Sequence, residues 1–213
     1  MIGDVLGIPN FKRVSMMKSV ESIGNAVADN MAYSLKCTGQ ATLRSIITAE
    51  SRIHERFIGP PNLIVMMAQR VNGEIKFGEP VTASQLLFNP SEKPVISTIP
   101  MPALMKLLDY KGIPEFSYVH GFNINVDLNN MNAYASVYVP SNDYAFNRVS
   151  ATGHRLTIEY AAPGHAVDEV QKIVNEMPEA KINEQVRLAA QRIGIEVRTG
   201  NVLPTSQKFF VID

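Results

Sequence analysis

The chain has 213 residues, 46% of them hydrophobic and 19% charged, which is enough to bury a sizeable core in one globular domain. Its 20 basic and 20 acidic side chains cancel without any block of like charge, so the sequence indicates no broad nucleic-acid surface. The single cysteine, Cys37, excludes an internal disulfide framework and suits a reducing compartment.

The N-terminal sequence MIGDVLGIPNFKRVS lacks the charged head and the continuous apolar core of a secretory signal peptide. No run in the sequence approaches the roughly 18 apolar residues that a membrane span requires. We therefore expect a cytoplasmic protein that does not associate with membranes.

The first predicted element is a helix near the N-terminus. Its apolar residues recur at spacings of three and four, as on one face of a helix that begins at Ser15. These residues are Val14, Met17, Val20, Ile23, Val27 and Met31. We predict residues 1–60 to be helical on this basis.

Residues 61–160 are predicted to be rich in β-structure. Asn72-Gly73 lies between two strand-compatible stretches, an arrangement typical of a tight hairpin. The run PVISTIP, residues 94–100, then predicts a buried strand.

A short helix is predicted directly after that strand, near residues 101–111. Pro102 suits the first turn of a helix, and Leu104, Leu107 and Leu108 share one face. Gly112 supplies the stop.

The clearest strand alternates apolar with polar residues, so one of its faces is apolar and the other is wet or faces a ligand. The apolar positions are Phe122, Ile124, Val126 and Leu128, and the polar ones are Asn123, Asn125, Asp127 and Asn129. AYASVYV, residues 133–139, alternates in the same way, and the intervening NNMN predicts an antiparallel hairpin between the two. NRVSAT and RLTIEY flank Gly153-His154 and predict a second hairpin.

Two helices are predicted beyond Pro163, from apolar stripes at helical spacing within residues 163–194. The tail, residues 195–213, reads as extended and ends on the apolar run Phe209–Ile212, which we expect to pack against a segment that follows or docks. The predicted fold class is thus α+β, with a central, mainly antiparallel sheet and flanking helices in a single domain.

The sequence contains few motifs that by themselves indicate a catalytic or cofactor-binding function. The four histidines and the lone cysteine form no metal-ligand spacing, so we expect no metal site. Hydrolase elbows and phosphate-binding loops are absent, and Gly3 and Gly7 of IGDVLG are wrongly spaced for a dinucleotide fingerprint. The residues alone therefore assign no catalytic group.

Three stretches carry a resemblance to one family, in the same order along the chain. VISTIPMPALMKLL resembles the segment of FAD-dependent amine-oxidase-like oxidoreductases in which a strand ends in Thr-x-Pro and leads to a helix. AYSLKCTGQATLRSI with ERFIGPP looks like the preceding region of the protoporphyrinogen-oxidase-like and UDP-galactopyranose-mutase-like members. VYVPSNDYAFNRVSATGHRLTIEY is similar to their substrate-side sheet, and together the three stretches span about residues 30–160.

The resemblance implies FAD as the cofactor and a set of contact residues. It places Thr98 and Pro100 at a corner beside the flavin, and Arg148 near flavin and substrate, with Glu159 as a candidate ion-pair partner of Arg148. The candidate substrate-binding residues are Tyr134, Tyr138, Asn123, Asn125 and Arg44. Each has a structural alternative: a proline-terminated strand, a solvated arginine or asparagine, or ordinary sheet packing of tyrosine.

The chain departs from the family pattern, since it shows no N-terminal Gly-x-Gly-x-x-Gly domain. We therefore expect the substrate-binding half or a fragment of an FAD-dependent oxidoreductase, acting on a small molecule and completed by a separate Rossmann-type FAD-binding subunit. One alternative is a non-catalytic binding or scaffold protein derived from that fold. Another is a flavin-dependent mutase, or an enzyme that modifies a nucleotide or a sugar.

Overall fold

The computed structural model describes residue 7 and residues 10–42, 52–71, 75–87, 96–112, 119–196 and 202–203. In chain order the elements are β1 (Lys12–Val20), α1 (Ala26–Thr38), β2 (Arg52–Ile58), α2 (Leu63–Arg70), α3 (Ala83–Leu87), α4 (Met101–Leu107), β3 (His120–Leu128), β4 (Ala133–Tyr138), β5 (Arg148–Gly153), β6 (Arg155–Ala162), α5 (Val167–Asn175), α6 (Glu179–Arg192) and β7 (Val202–Leu203).

Contacts divide the chain into two compact units, although its length and composition favour one domain. The helical unit comprises Met1–Asn10 and Gly59–Ser117, and it contains α2, α3 and α4. The sheet unit comprises Phe11–Ile58 and Tyr118–Asp213, and it contains every strand that the structure describes.

The sheet unit is built on one mixed sheet with the strand order β2-β1-β4-β5-β6-β3-β7. Within the described strands, β1 and β4 run parallel and the other neighbouring pairs run antiparallel. The predicted α+β class with a mainly antiparallel sheet is therefore confirmed.

The main core lies between one face of the sheet and helices α5 and α6. Ile124, Leu156, Ile158 and Val149 point to this core face and are at most 1% exposed. Val186 of α6 packs in the same cluster and is fully buried. Alternation along the strands thus produces the apolar face that the sequence predicts at Phe122–Leu128.

Helix α1 lies against the opposite face of the sheet. Its Tyr33 and Cys37 form a small buried cluster with Val20, and Tyr138 and Ala161 pack against that cluster. Asn25 caps the N-terminus of this helix, and its side-chain oxygen accepts hydrogen bonds from the backbone N–H groups of Val27 and Ala28.

The hairpin of β5 and β6 is confirmed, with Gly153 at a φ of 66° in the turn. The helices predicted beyond Pro163 are confirmed as α5 and α6, and Gly194 follows α6 at a φ of 74°. Of the predicted extended tail, Val202–Leu203 forms β7, whereas Phe209–Ile212 lies outside the described residues.

The predicted N-terminal helix is wrong in its first half, because Lys12–Val20 forms β1 and the helix begins only at Ala26. The apolar residues Val14, Met16 and Val20 also fit a period of two. Backbone pairing with both β2 and β4 stabilises the segment as a strand rather than a helix. The expectation that residues 1–60 are helical fails again at Arg52–Ile58, which is β2.

The predicted hairpin between β3 and β4 is also wrong. The β5–β6 hairpin lies between these two strands, so β3 pairs with β6 and β4 pairs with β5. The backbone N–H of Leu128 donates to the carbonyl of His154 at 2.8 Å, which seats the end of β3 against the β5–β6 turn.

The expectation of β-structure fails for the described residues between 61 and 112. Leu63–Arg70 forms α2 rather than the first strand of a hairpin, and the Asn72-Gly73 turn lies outside the described residues. Ile96–Pro100, the described part of the predicted buried strand, is irregular, and Ile96 is 88% exposed. The helix predicted after it is confirmed as α4, with Pro102 in its first turn.

Candidate ligand-binding face

Polar side chains occupy alternate positions on four neighbouring strands and form three rows across one face of the sheet. The first row is Tyr138, Arg148, Glu159 and Asn123; the second is Ser136, Ser150, Thr157 and Asn125; the third is Tyr134, Thr152, Arg155 and Asp127. We call these twelve residues the polar sheet face. It is the side opposite to the core that α5 and α6 cover.

Five of the eight predicted site residues lie together on this face: Arg148, Tyr134, Tyr138, Asn123 and Asn125. Thr98 and Pro100 belong to the helical unit, where both are exposed. Arg44 lies outside the described residues. The sheet thus places four of the five predicted substrate-binding residues on one face with Arg148.

Arg148 forms the centre of the first row. Its Nη2 donates to Glu159 Oε1 at 2.5 Å, and the two side chains are 36% and 19% exposed. Burial lowers the pKa of the guanidinium, but the hydrogen bond and the charge of Glu159 outweigh burial and raise it. Arg148 therefore carries a permanent positive charge at this point of the face.

The Nε atom of Arg148 is buried and has no hydrogen-bond partner among the described residues. A guanidinium has five N–H donors in one plane, and the Glu159 contact engages Nη2 only. An unpaired buried donor is costly, so the arrangement suits an incoming carbonyl, carboxylate or phosphate oxygen.

The ring of Tyr138 lies near two cations. The guanidinium carbon of Arg148 is 5.7 Å from the ring centroid, and Lys18 Nζ from β1 is 5.2 Å from it. Both distances fall within the range of a cation–π contact. Glu159 offsets the charge of Arg148, so the excess positive charge beside Tyr138 comes from Lys18 on the neighbouring strand β1.

Helix α1 fixes the far side of Tyr138. Its Tyr33 meets Tyr138 edge to face, with the ring centroids 5.3 Å apart. Asn147 Nδ2 donates to the Tyr33 hydroxyl at 3.3 Å in a buried contact. Burial, followed by the nearby Cys37 thiol, raises the pKa of Tyr33, so this hydroxyl stays neutral at physiological pH.

The second and third rows are largely paired internally. The Ser136 and Ser150 hydroxyls are 3.2 Å apart, and Thr157 donates to Asn125 at 2.8 Å. In the third row, Arg155 donates to both carboxylate oxygens of Asp127, at 2.9 and 3.2 Å. In the first row, by contrast, the buried Nε of Arg148 has no hydrogen-bond partner among the described residues.

Lys12 and Lys18 on β1 were not predicted as site residues. Lys12 Nζ donates to the Tyr134 hydroxyl at 2.9 Å, and Lys18 lies over Tyr138. Because the sequence pattern assigned this segment to a helix, it did not predict the parallel pairing that brings β1 beside β4. Recognising Lys12, Val14 and Met16 as alternate strand positions is the signal that would have found the two lysines.

A second lysine environment lies at the end of α1. Lys36 Nζ donates to the backbone carbonyls of Val139 and Ser141, at 3.0 and 2.6 Å. Burial lowers the pKa of Lys36 to about 8, although Cys37 and Glu21 act in the opposite direction. This ammonium ties α1 to the segment that follows β4.

The fit of this face to a flavin is limited to its first row. Arg148 offers donors to the carbonyl or phosphate oxygens that such a cofactor presents. The exposed corner at Thr98 and Pro100 has no packing that defines a cofactor contact within the part of the helical unit that is described. No glycine fingerprint in this sequence can hold the adenosine diphosphate part.

Within the described ranges, no group of three or more histidine, cysteine, aspartate or glutamate side chains is placed to hold a metal ion. None of the helices described here combines the length and the apolar character needed to cross a membrane. Comparison of the chain with models of known protein families, with curated proteins and with solved structures gives no match.

Proposed function

We propose that the chain is the substrate-side part of an FAD-dependent oxidoreductase of the amine-oxidase-like class, and that Arg148 and the residues around it on the polar sheet face form its ligand-binding wall. The observation that carries this proposal is the state of Arg148, which is partly buried and paired with Glu159 on one nitrogen while its Nε has no partner among the described residues. A second support is that Tyr134, Tyr138, Asn123 and Asn125 share the face with it.

A flavin, when bound, would supply the electron-transfer chemistry, while the protein orients the substrate and excludes water. Arg148 would hold an anionic or carbonyl oxygen through the donors that Glu159 does not use. Tyr138, set between Lys18 and Tyr33, would supply a flat wall beside that contact. Ser136 and Ser150 in the second row would line the side of the site with hydroxyls.

We propose further that a separate polypeptide holds the rest of the cofactor. The helical unit exposes large apolar side chains next to the Thr98 corner: Ile96 is 88% and Met101 is 55% exposed. Phe77 in the same unit is 85% exposed. Exposed apolar groups of this size are typical of surfaces that another chain covers.

The test is a visible absorption spectrum of the purified chain. It is recorded with added FAD, alone and after co-expression with any Gly-x-Gly-x-x-Gly polypeptide that is encoded beside the chain. We expect flavin bands that remain after desalting in the co-expressed sample and that are lost with Arg148→Ala. A colourless protein in both samples, with the native fold verified by circular dichroism, would reject the proposal.

The alternative function, a non-catalytic binding or scaffold protein, draws support from the second and third rows. Their hydroxyl, amide and ionic groups pair with one another across the strands, as in a solvated sheet face. This alternative predicts that Arg148→Ala changes stability alone and that no flavin is retained under any condition.

A further inference from the structure

We propose that the sheet unit has a second binding site, for a small planar aromatic anion, in a pocket on its core side. The pocket has a volume of about 410 Å³ and lies where the ends of β3 and β6 meet α5 and α6. This is within the range of about 300–1,000 Å³ that is usual for small-molecule sites. All of its lining residues fall within the continuous described range 119–196.

The floor of the pocket is aromatic. The rings of Phe122 and Tyr160 are stacked, with centroids 4.4 Å apart and an angle of 5° between their planes. Both side chains are buried, at 5% and 7% exposure, so their position is fixed by the core. Since each ring covers one face of the other, the pair offers a ligand its ring edges and outer faces, against which a flat aromatic body packs edge to face or by offset stacking.

The walls leave the space above this floor open because they are small or flexible. Ala145, Ala162 and Pro163 are short side chains on one side. On the other side Ile173 and Met177 come from α5 and from the turn that follows it, and Ile173 remains 40% exposed. A ligand that contacts Ile173 here would bury apolar surface that is exposed in the protein alone, and this burial would favour binding.

The hydroxyl of Tyr160 carries no negative charge that would repel an anion in this pocket. It donates to Gln185 Oε1 at 3.2 Å. Burial raises the pKa of Tyr160, so the hydroxyl stays neutral at physiological pH. The contact also orients the Gln185 side chain, whose amide N–H₂ remains a donor for a ligand.

The charged groups at the rim select for negative charge. Lys181 lines the pocket and is exposed, and it forms no ion pair with a described residue. The other basic group, His165, lies 3.4 Å from Glu169 and is therefore engaged. A carboxylate or sulfonate on the aromatic ligand would pair with Lys181 while its ring covers Phe122 and Tyr160.

This pocket lies on the opposite side of the sheet from the polar sheet face, and it shares no residue with that face. Its ligand therefore does not depend on the proposed flavin chemistry. Failure of one proposal leaves the other unchanged.

The experiment is isothermal titration calorimetry of the full chain with naphthalene-2-carboxylate and with the neutral naphthalene-2-carboxamide. We expect the carboxylate to bind about tenfold more tightly than the amide, and Lys181→Gln to remove this difference. Ala145→Leu places a larger side chain at the exposed lip of the pocket, and we expect it to weaken both ligands by about tenfold or more. Lys172→Gln, on α5 but outside the pocket, is the charge-matched control and should bind like the unmodified chain.

Circular dichroism and the thermal midpoint of each variant establish that the fold is retained. The proposal is overturned if neither compound binds at millimolar concentration. It is also overturned if both compounds bind equally to the unmodified chain, or if Ala145→Leu leaves the affinity unchanged.

Discussion

At the scale of single residues, Arg148 combines a paired and an unpaired donor in one guanidinium. Glu159 stabilises the charge, and the buried Nε lacks a partner among the described residues. The Arg155–Asp127 pair in the third row offers an internal comparison, because its arginine is 57% exposed and bonds both carboxylate oxygens. The two pairs have the same charges but different degrees of burial.

The first prediction compares these two ion pairs. We expect Glu159→Ala to lower the free energy of unfolding by about 1–3 kcal/mol, because it leaves the half-buried Arg148 without its partner. Asp127→Ala should cost less than about 1 kcal/mol, since Arg155 can be solvated. Urea unfolding of the two variants measures both values, and equal losses would contradict the difference in burial.

A second prediction concerns Lys36, whose pKa is lowered to about 8 by burial from its ordinary 10.5. The unfolded chain then binds more protons than the native chain between these two values. The cost of the buried charge is fully present below about pH 8 and is lost as the pH rises toward the unfolded pKa. Stability should accordingly increase with pH across this window.

The measurement is the urea midpoint between about pH 7 and pH 9.5, which stays below the ordinary tyrosine range. Relative to Lys36→Met, the unmodified chain should gain stability as the pH rises. Lys172→Met, on the exposed surface of α5, serves as the control and should run parallel to the unmodified chain. A flat difference between the chain and Lys36→Met would show that the native state does not disfavour the charged lysine.

At the scale of elements, the β5–β6 hairpin carries Arg148 and Glu159, and its turn sets their register. Arg148 is directly opposite Glu159, five residues before Gly153, which takes a φ of 66°. A one-residue slip would turn one of the two side chains to the core face. The geometry of the turn is therefore part of the candidate site.

The third prediction tests this turn. We expect Gly153→Ala to cost about 1–2 kcal/mol, because a Cβ is disfavoured at this φ. The nearest atom to the added Cβ would be the Tyr134 hydroxyl at 3.6 Å, an ordinary contact, so the cost comes from the backbone. Gly153→Asn should cost less, since asparagine adopts this conformation more readily. Thermal unfolding measures both, and the opposite order would contradict the assignment to backbone strain.

The sequence pattern predicted the elements of the sheet unit unevenly, for physical reasons. β3 and β6 alternate regularly because one face is buried under α5 and α6, and a period of two is then unambiguous. β1 has Met16 and Met17 side by side, so its apolar residues also fit a helix. The pairing of β3 with β6 rests on tertiary contacts, which the short NNMN connection to β4 does not reveal.

The candidate site was predictable where it depends on alternation along one strand. Asn123 with Asn125, and Tyr134 with Tyr138, share a face because they are two or four residues apart. The contribution of Lys18 was not predictable, because it depends on the parallel pairing of β1 with a strand more than a hundred residues later. The corner at Thr98 rests on resemblance alone.

At the scale of the whole molecule, the two faces of the sheet carry different kinds of side chain, apolar on one and polar on the other. One face supports the core with α5 and α6 and ends in the aromatic pocket at Phe122 and Tyr160. The other carries α1 and the polar sheet face, with its positive charge concentrated at Arg148 and Lys18. Two different ligands could thus be bound on opposite sides of one sheet.

The most direct test of the central claim is the dissociation constant of FAD from the chain co-expressed with its proposed FAD-binding subunit, measured by equilibrium dialysis. Arg148→Ala should weaken FAD at least about tenfold, while Arg148→Lys should lie between, because it keeps the charge but loses the planar donors. Arg155→Ala, the matched control on the same face, should change the constant less than about twofold. Equal effects of Arg148→Ala and Arg155→Ala, or no effect of either, would contradict the claim that the first row binds the ligand.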